Sequence, residues 1–124
     1  MSNKKILVVD DEVDLVETVR FPLEMDGYTV LVSYNGEDAL QQARKEKPDL
    51  ILLDIMLPKL DGYKVCRLLK FDERYKHIPI LMMTAKTQEK DKSLGMETGA
   101  DEYVTKPFDV DQLMAKVKSY LERQ

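Results

Sequence analysis

Five short runs of mainly apolar residues recur along the chain, each long enough for one β-strand. They lie at residues 6–9, 29–32, 50–53, 80–83 and 102–104. Most are apolar at consecutive positions, which is typical of strands buried on both faces in a parallel sheet. The segments between the runs carry apolar residues at helical spacing instead, as Leu15, Val19 and Leu23 do. The pattern therefore predicts strands and helices in alternation.

This alternation favours an α/β fold, in which a doubly wound, five-stranded parallel sheet has helices on both faces. Turn signals such as Asp61-Gly62 separate the elements. Pro22 lies inside the first predicted helix, where it removes a backbone hydrogen bond, and we expect a kink there. No linker or repeat interrupts the pattern, and 124 residues is the size of one domain. We expect residues 1–124 to form a single domain.

Composition and charge exclude several classes of function. The 23 acidic and 19 basic residues give a net charge of −4, and no basic stripe is available to bind a nucleic-acid backbone. The single cysteine, Cys66, excludes an internal disulfide bond and a cysteine-rich zinc site, and we interpret it as a small buried apolar residue. No run approaches the roughly 18 apolar residues of a membrane helix. We expect a cytoplasmic protein that contacts neither nucleic acid nor membrane directly.

Polar side chains follow four of the five predicted strands. Asp10 and Asp11 come directly after the first run, and Asp54 follows the third. Thr84 follows the fourth run, and Lys106 comes shortly after the fifth. The carboxyl ends of parallel strands meet at one edge of the sheet, where ligands of α/β proteins bind near the point at which strand order reverses. With the strand order 2-1-3-4-5, three carboxylates would come together there beside a threonine and a lysine.

Three carboxylates this close repel one another, so either some of them bind protons or a cation binds among them. We expect a cation, because oxygen ligands with open positions suit Mg²⁺, with Mn²⁺ as a substitute. The ammonium of Lys106 then has an electrostatic role towards a phosphoryl oxygen. A glycine-rich phosphate loop is excluded, because Asp10-Asp11-Glu12 places anions at the start of the first helix.

Four separated motifs carry a resemblance to one family. They are residues 6–12 (ILVVDDE), 49–58 (DLILLDIMLP) with 61–62 (DG), 83–85 (MTA) and 99–108 (GADEYVTKPF). In this order and spacing, they make the chain similar to the response-regulator receiver domains of two-component signalling over essentially its whole length. The resemblance implies a flavodoxin-like fold with the strand order 2-1-3-4-5.

The resemblance also implies a role for the acidic residues at the strand ends. Asp54 is the expected phosphoacceptor. Asp10, Asp11 and Asp54, together with the backbone carbonyl of Met56, are the expected Mg²⁺ ligands.

The resemblance also implies that residues on the fourth and fifth strands form a conformational switch. Thr84 would bond one phosphoryl oxygen and Lys106 another, while Tyr103 would rotate inward as Thr84 moves. The Lys106–Pro107 peptide bond is usually cis in this family. The implied partners are a sensor histidine kinase or phosphotransfer protein and a downstream protein or effector domain. Such a protein is a switch that phosphorylates and dephosphorylates itself, not an enzyme with an external substrate.

An output surface is predicted on the fourth and fifth predicted helices and the strand between them. Asp101, Glu102, Lys116 and Lys118 place both signs of charge there, which would permit pairing into a two-fold homodimer. Ordinary surface charge is an equally good interpretation. The fourth helix would include the charged run 86–92.

Other interpretations stay open at this point. A metal-dependent phosphohydrolase could use the same aspartate covalently, although no Asp-x-Asp motif follows the first strand. A degenerate receiver could act only as a binding module. Asp10 and Asp11 could merely cap the first helix, and Thr84 and Lys106 could be an ordinary cap and a surface lysine.

Overall fold

The computed structural model describes residues 4–85 and 99–122, in which strands and helices alternate as predicted. The five strands are β1 (Lys5–Val9), β2 (Thr29–Ser33), β3 (Leu50–Asp54), β4 (Ile80–Ala85) and β5 (Glu102–Lys106). The four helices of these segments are α1 (Val13–Met25), α2 (Gly36–Glu46), α3 (Gly62–Lys70) and α4 (Val110–Glu122). Helix α4 is the fifth helix of the sequence prediction. The fourth predicted helix, with the charged run 86–92, lies outside the described residues.

All five strands pair in parallel in one sheet with the order β2-β1-β3-β4-β5, which confirms the predicted topology. Strands β1 and β3 are neighbours at the centre. Asp54, the last residue of β3, lies opposite Met83 of β4, and Lys106, the last residue of β5, lies opposite Ala85. This register brings the carboxyl ends of the strands to a common edge.

Helices cover both faces of the sheet. Helices α2 and α3 pack on one face through side chains such as Ala43 and Leu69, and α1 and α4 pack on the other through Val19 and Val117. Because both faces are covered, β3 is buried along its whole length, which explains its continuous apolar run. Cys66 is buried in the core beneath α2 and α3, as predicted.

Local sequence explains where the helices begin and end. The side chains of Asn35 and Asp61 cap α2 and α3 by accepting bonds from backbone N–H groups three residues on, at 2.8 and 3.0 Å. Helix α1 continues through Pro22 to Met25, and the kink expected there stays a prediction. Within the described segments, no helix is both long enough and apolar enough to cross a membrane.

The start of α3 packs directly onto the end of β3. The N–H of Gly62 donates to the carbonyl oxygen of Ile55 at 2.9 Å. A Cβ atom at Gly62 would overlap the carbonyl oxygen of Asp54 and lie 2.9 Å from the Cα atom of Ile55. Only glycine fits this contact. Gly62 therefore allows the start of α3 to pack directly against the end of β3 that carries Asp54.

Substitution of Gly62 tests this contact. Gly62→Ala should lower the free energy of unfolding by about 3 kcal/mol or more, because the new methyl group meets backbone atoms that cannot move aside. Gly27→Ala is the control, because Gly27 has φ +92° but nothing within 4 Å of an added Cβ atom. It should cost only about 1 kcal/mol of conformational strain. Urea denaturation followed by circular dichroism measures both, and equal losses would contradict the proposed close contact.

Candidate functional site

Four of the predicted site residues meet at the carboxyl edge of the sheet. Asp10 follows β1 and is fully buried, Asp54 ends β3 with 5% of its surface exposed, and Asp11 is exposed. One carboxylate oxygen from each of the three lies within 4.8 Å of the other two. The Nζ atom of Lys106 lies 2.7 Å from Asp10 Oδ2 and 3.4 Å from Asp54 Oδ1. Residues far apart in sequence therefore form one charged cluster.

Asp10 is held in position by the turn between β1 and α1. Its N–H donates to the carbonyl oxygen of Ser33 at 3.2 Å, and its Oδ1 atom accepts from the N–H of Glu12 at 2.9 Å. Glu12 is the N-cap residue of α1, and its side chain makes no capping hydrogen bond. One oxygen of Asp10 thus supports the start of α1, while the other faces Lys106. Capping of α1 therefore accounts for only one of the two carboxylate oxygens of Asp10.

The carboxyl group of Asp54 is held in an unfavourable environment for its ionised form. Burial, and then the neighbouring charge of Asp10, raise its pKa to about 6, although Lys106 and the N–H of Met56 oppose the shift. The Met56 N–H lies 3.4 Å from Asp54 Oδ1. Ionised Asp54 therefore gains from any further positive charge at this edge.

Lys106 supplies the positive charge of the cluster. Burial alone would lower the pKa of its ammonium, but the hydrogen bond to Asp10 and the charge of Asp54 outweigh burial, and the pKa is raised. The Oε1 atom of Glu12 lies 3.9 Å from the same Nζ atom. Lys106 consequently stays protonated at neutral pH. Its peptide bond to Pro107 is cis, as the family resemblance implied.

The three carboxylates fit a small divalent cation. Oxygen ligands about 2.1 Å from Mg²⁺ lie about 3 to 4 Å from one another, and the three carboxylate oxygens all lie within 4.8 Å of one another. Asp11 is exposed, so the cluster is open to solvent on its side. Hard carboxylate ligands with open positions suit Mg²⁺ or Mn²⁺. The predicted role of the Met56 carbonyl stays a prediction.

The two predicted switch residues lie on adjacent strands beside this cluster. Thr84 is fully buried, directly after Met83, the partner of Asp54 in the sheet. Its hydroxyl donates to the carbonyl oxygen of Ala85 at 3.2 Å. Tyr103 lies opposite Met82 on β5 and packs against the core beneath α2 and α3. Thr84 is thus on the strand next to Asp54, Tyr103 is one strand farther away, and the switching roles of both stay predictions.

Two residues at the site had no role in the sequence prediction. Glu12 approaches Lys106, and Gly62 packs on the backbone of Asp54. Glu12 is the third acid of the run 10–12, and Gly62 belongs to the turn signal Asp61-Gly62. Both signals are present in the sequence, but each also fits an ordinary helix start. For that reason, neither residue was predicted to belong to the site.

Comparison with known proteins decides the family. The sequence profile described as the response regulator receiver domain matches residues 6–118. The chain belongs to this family. The receiver domain is 54% identical over 121 residues to the alkaline phosphatase synthesis transcriptional regulatory protein PhoP of Bacillus subtilis (strain 168). That alignment covers 98% of this chain and 50% of PhoP, so the chain spans about half the length of this relative.

Solved structures agree with the receiver assignment. A candidate response regulator from Chloroflexus aurantiacus J-10-fl superposes with a TM-score of 0.91 at 37% identity, over 98% of this chain and 99% of that one. The chemotaxis response regulator CheY4 of Vibrio cholerae gives a TM-score of 0.88 at 30% identity, over 96% and 99% of the two chains. The flavodoxin-like fold predicted from the sequence is therefore confirmed.

The raised pKa of Asp54 predicts a pH-dependent effect of Asp54→Asn in buffer with EDTA. The native pKa, about 6, lies above the ordinary value of 3.8, so the folded state binds this proton more tightly than the unfolded chain does. Ionised Asp54 thus destabilises the fold fully above pH 6 and ceases to do so near pH 4. Asp54→Asn should raise the free energy of unfolding by up to about 3 kcal/mol at pH 7.5 and by little at pH 4.

Urea titrations at the two pH values measure this difference. Glu37→Gln, which removes an exposed carboxylate from the first turn of α2, is the control for the loss of one negative charge. A gain for Asp54→Asn that is the same at both pH values would refute the assigned shift.

Proposed function

We propose that this receiver domain accepts a phosphoryl group on Asp54 in a Mg²⁺-dependent reaction and changes conformation in response. The observation that carries the proposal is the buried carboxylate of Asp54, grouped with Asp10, Asp11 and Lys106 at one sheet edge. These three carboxylates and one ammonium carry a net charge of −2, which one divalent cation neutralises. Membership of the receiver family supports the same reading.

The proposed reaction is a direct transfer. An oxygen of Asp54 attacks the phosphorus atom of the donor in line, and the bond from phosphorus to the donor breaks as the new O–P bond forms. The ammonium of Lys106, 3.4 Å from Asp54 Oδ1, offsets charge on a phosphoryl oxygen. A Mg²⁺ ion held by Asp10, Asp11, Asp54 and the carbonyl of Met56 would add positive charge at the phosphoryl oxygens.

The donor in this proposal is a sensor histidine kinase or a phosphotransfer protein, and the reaction takes place in the cytoplasm. Water later removes the phosphoryl group, so the domain acts as a self-phosphorylating and self-dephosphorylating switch with no turnover of an external substrate. Residues 1–124 serve as a single receiver domain. An effector domain or a separate protein reads the change; the relative PhoP is named as a transcriptional regulatory protein.

The proposed switch couples Thr84 to Tyr103. The hydroxyl of Thr84 would exchange its bond to the Ala85 carbonyl for a phosphoryl oxygen, and Tyr103 would turn towards the space that Thr84 leaves. Both residues lie next to the output surface predicted around β5. On phosphorylation, this surface would pair two copies of the domain.

Three of the four charges proposed for that pairing, those of Asp101, Glu102 and Lys116, are already engaged within one chain. Lys116 Nζ lies 2.6 Å from Glu102 Oε2, and Lys70 Nζ lies 2.8 Å from Asp101 Oδ2. A dimer that used these groups would have to exchange intramolecular pairs for intermolecular ones. Its net electrostatic gain is therefore small, and the pairs would set the register of the two copies.

Intact mass measures the acceptor chemistry. Incubation with acetyl phosphate and Mg²⁺ should add about 80 Da, one phosphoryl group, to the wild type and nothing to Asp54→Asn. EDTA should abolish the gain, and Lys106→Met should slow it at least about tenfold, because the ammonium beside the acceptor is lost. Lys59→Met, at an exposed lysine, is the control.

The outcomes separate the alternatives. Equal labelling of Asp54→Asn would refute the assigned acceptor. Steady turnover of a generic phosphate ester would favour a phosphohydrolase. No mass gain, with acetyl phosphate or with a purified histidine kinase, would favour a degenerate binding module.

Thr84→Ala tests the switch separately from phosphorylation. Beryllium fluoride with Mg²⁺, a phosphoryl mimic, should double the sedimenting mass of the wild type through the output surface. Thr84→Ala should still gain about 80 Da from acetyl phosphate, but the mimic should not raise its sedimenting mass, because no hydroxyl meets the phosphoryl oxygen. Thr29→Ala, at an exposed threonine of β2 on the other edge of the sheet, is the control. A Thr84→Ala protein that dimerises like the wild type would exclude this coupling.

A further inference from the structure

An open groove of about 750 Å³ lies at the ends of α2 and α3, at the sheet edge opposite Asp54. Arg44 of α2 lines one side, and Arg67, Leu68 and Phe71 line the other. Phe71 is 69% exposed and Leu68 is 45% exposed. We call this feature the basic groove. It combines exposed apolar surface with guanidinium groups, the composition of an interaction surface.

The basic groove has unbalanced positive charge. Asp72 pairs with Arg74 at 2.9 Å, and Glu73 pairs with Lys76 at 2.8 Å, so the acids at the groove are neutralised by their neighbours. Within residues 4–85 and 99–122, Arg44 and Arg67 form no ion pair. Hydrogen bonds from Arg74, and also the charge of Arg44, nevertheless lower the pKa of Asp72. This leaves Arg67 as the guanidinium group without a neighbouring carboxylate in the described part of the chain. With three guanidinium groups and two carboxylates in its lining, the groove carries a net positive charge.

The exposed side of α1 has the complementary composition. Phe21 and Met25 are four residues apart, so they lie on one side of the helix, and they are 68% and 72% exposed. Glu17 and Glu24 flank Arg20 at 3.6 and 3.2 Å, which leaves one negative charge in excess. We call this feature the acidic ridge, and it joins a protruding phenylalanine to two carboxylates.

The two features lie on opposite sides of the molecule. Helix α1 covers one face of the sheet, and α2 and α3 cover the other. One molecule can therefore use its acidic ridge and its basic groove at the same time, each with a different neighbour. Neither feature includes Asp54, Lys106 or the output surface around β5.

We propose that copies of this receiver domain associate head to tail, with the acidic ridge of one copy seated in the basic groove of the next. Phe21 enters the groove beside Phe71, where the planar guanidinium groups of Arg44 and Arg67 stack on or flank its ring. The carboxylate of Glu17 meets the guanidinium group of Arg67, which forms no ion pair among the described residues. A second copy is the occupant because one chain carries both the apolar anchor and the matching opposite charges.

This contact is heterologous, so it differs in kind from a two-fold dimer. Each copy keeps one free ridge and one free groove after pairing, and assembly does not stop at two copies. The contact is small and charged at its rim, so it is weak and salt-dependent. It forms without a phosphoryl group, because no residue of the site takes part.

Sedimentation equilibrium in EDTA, without a phosphoryl donor, tests the proposal. The protein concentration is varied from about 10 µM to 1 mM, which covers the dissociation constants of weak interfaces. Over this range, the average mass of the wild type should rise above the monomer value of 14.4 kDa. It should fall again in high salt. A wild type that stays monomeric at the highest concentration would overturn the proposal.

Two paired variants make the test specific. A ridge variant carries Glu17→Lys and Phe21→Ser, and a groove variant carries Arg67→Glu and Phe71→Ser. All four positions are exposed on helices or their ends, and circular dichroism checks that each variant is folded. Each variant alone should lose at least tenfold in association constant, whereas Lys59→Glu, far from both features, should associate like the wild type.

Mixing distinguishes this contact from every isologous dimer. The ridge variant retains an intact groove, and the groove variant retains an intact ridge. An equimolar mixture should therefore form a complex of twice the monomer mass and nothing larger. A mixture that stays monomeric, or one variant that self-associates as strongly as the wild type, would overturn the head-to-tail contact.

Discussion

The rest of the site depends on the ion pairs that the ammonium of Lys106 forms with Asp10 and Asp54. Asp10 follows β1 and Asp54 ends the neighbouring strand β3, and burial leaves both carboxylates little access to water. Their repulsion is tolerated because one positive charge lies 2.7 Å from one and 3.4 Å from the other. The offset is incomplete, as the raised pKa of Asp54 shows. Ionised Asp54 would therefore be stabilised by further positive charge at this edge of the sheet.

The supports of this cluster are rigid. The strands that carry it are buried on both faces, and the backbone of Asp54 is in direct contact with Gly62 at the start of α3. The turn that holds Asp10 also begins α1. The carboxylates of Asp10 and Asp54 thus have fixed positions at the carboxyl edge of the sheet.

The sequence predicted the strands, because buried runs leave a strong pattern. The order of the strands, on which the predicted convergence of Asp10, Asp54 and Lys106 depended, came from the family resemblance. The sequence did not predict contacts that depend on close packing or on side-chain rotamers. The approach of Glu12 to Lys106 is one example, and the pairing of Glu102 with Lys116 within one chain is another. Charges that look available in a sequence can already be engaged in the fold.

An ammonium group has only three N–H bonds to donate. Lys106 already has three carboxylates within 4 Å, those of Asp10, Asp54 and Glu12. Only Asp10, at 2.7 Å, and Asp54, at 3.4 Å, are within hydrogen-bonding distance, so one N–H bond remains for a phosphoryl oxygen. Glu12, the N-cap residue of α1, lies 3.9 Å from the same nitrogen atom, and a phosphoryl group there would place negative charge next to this carboxylate. Repulsion between the two would thereby make the start of α1 sensitive to the state of the acceptor.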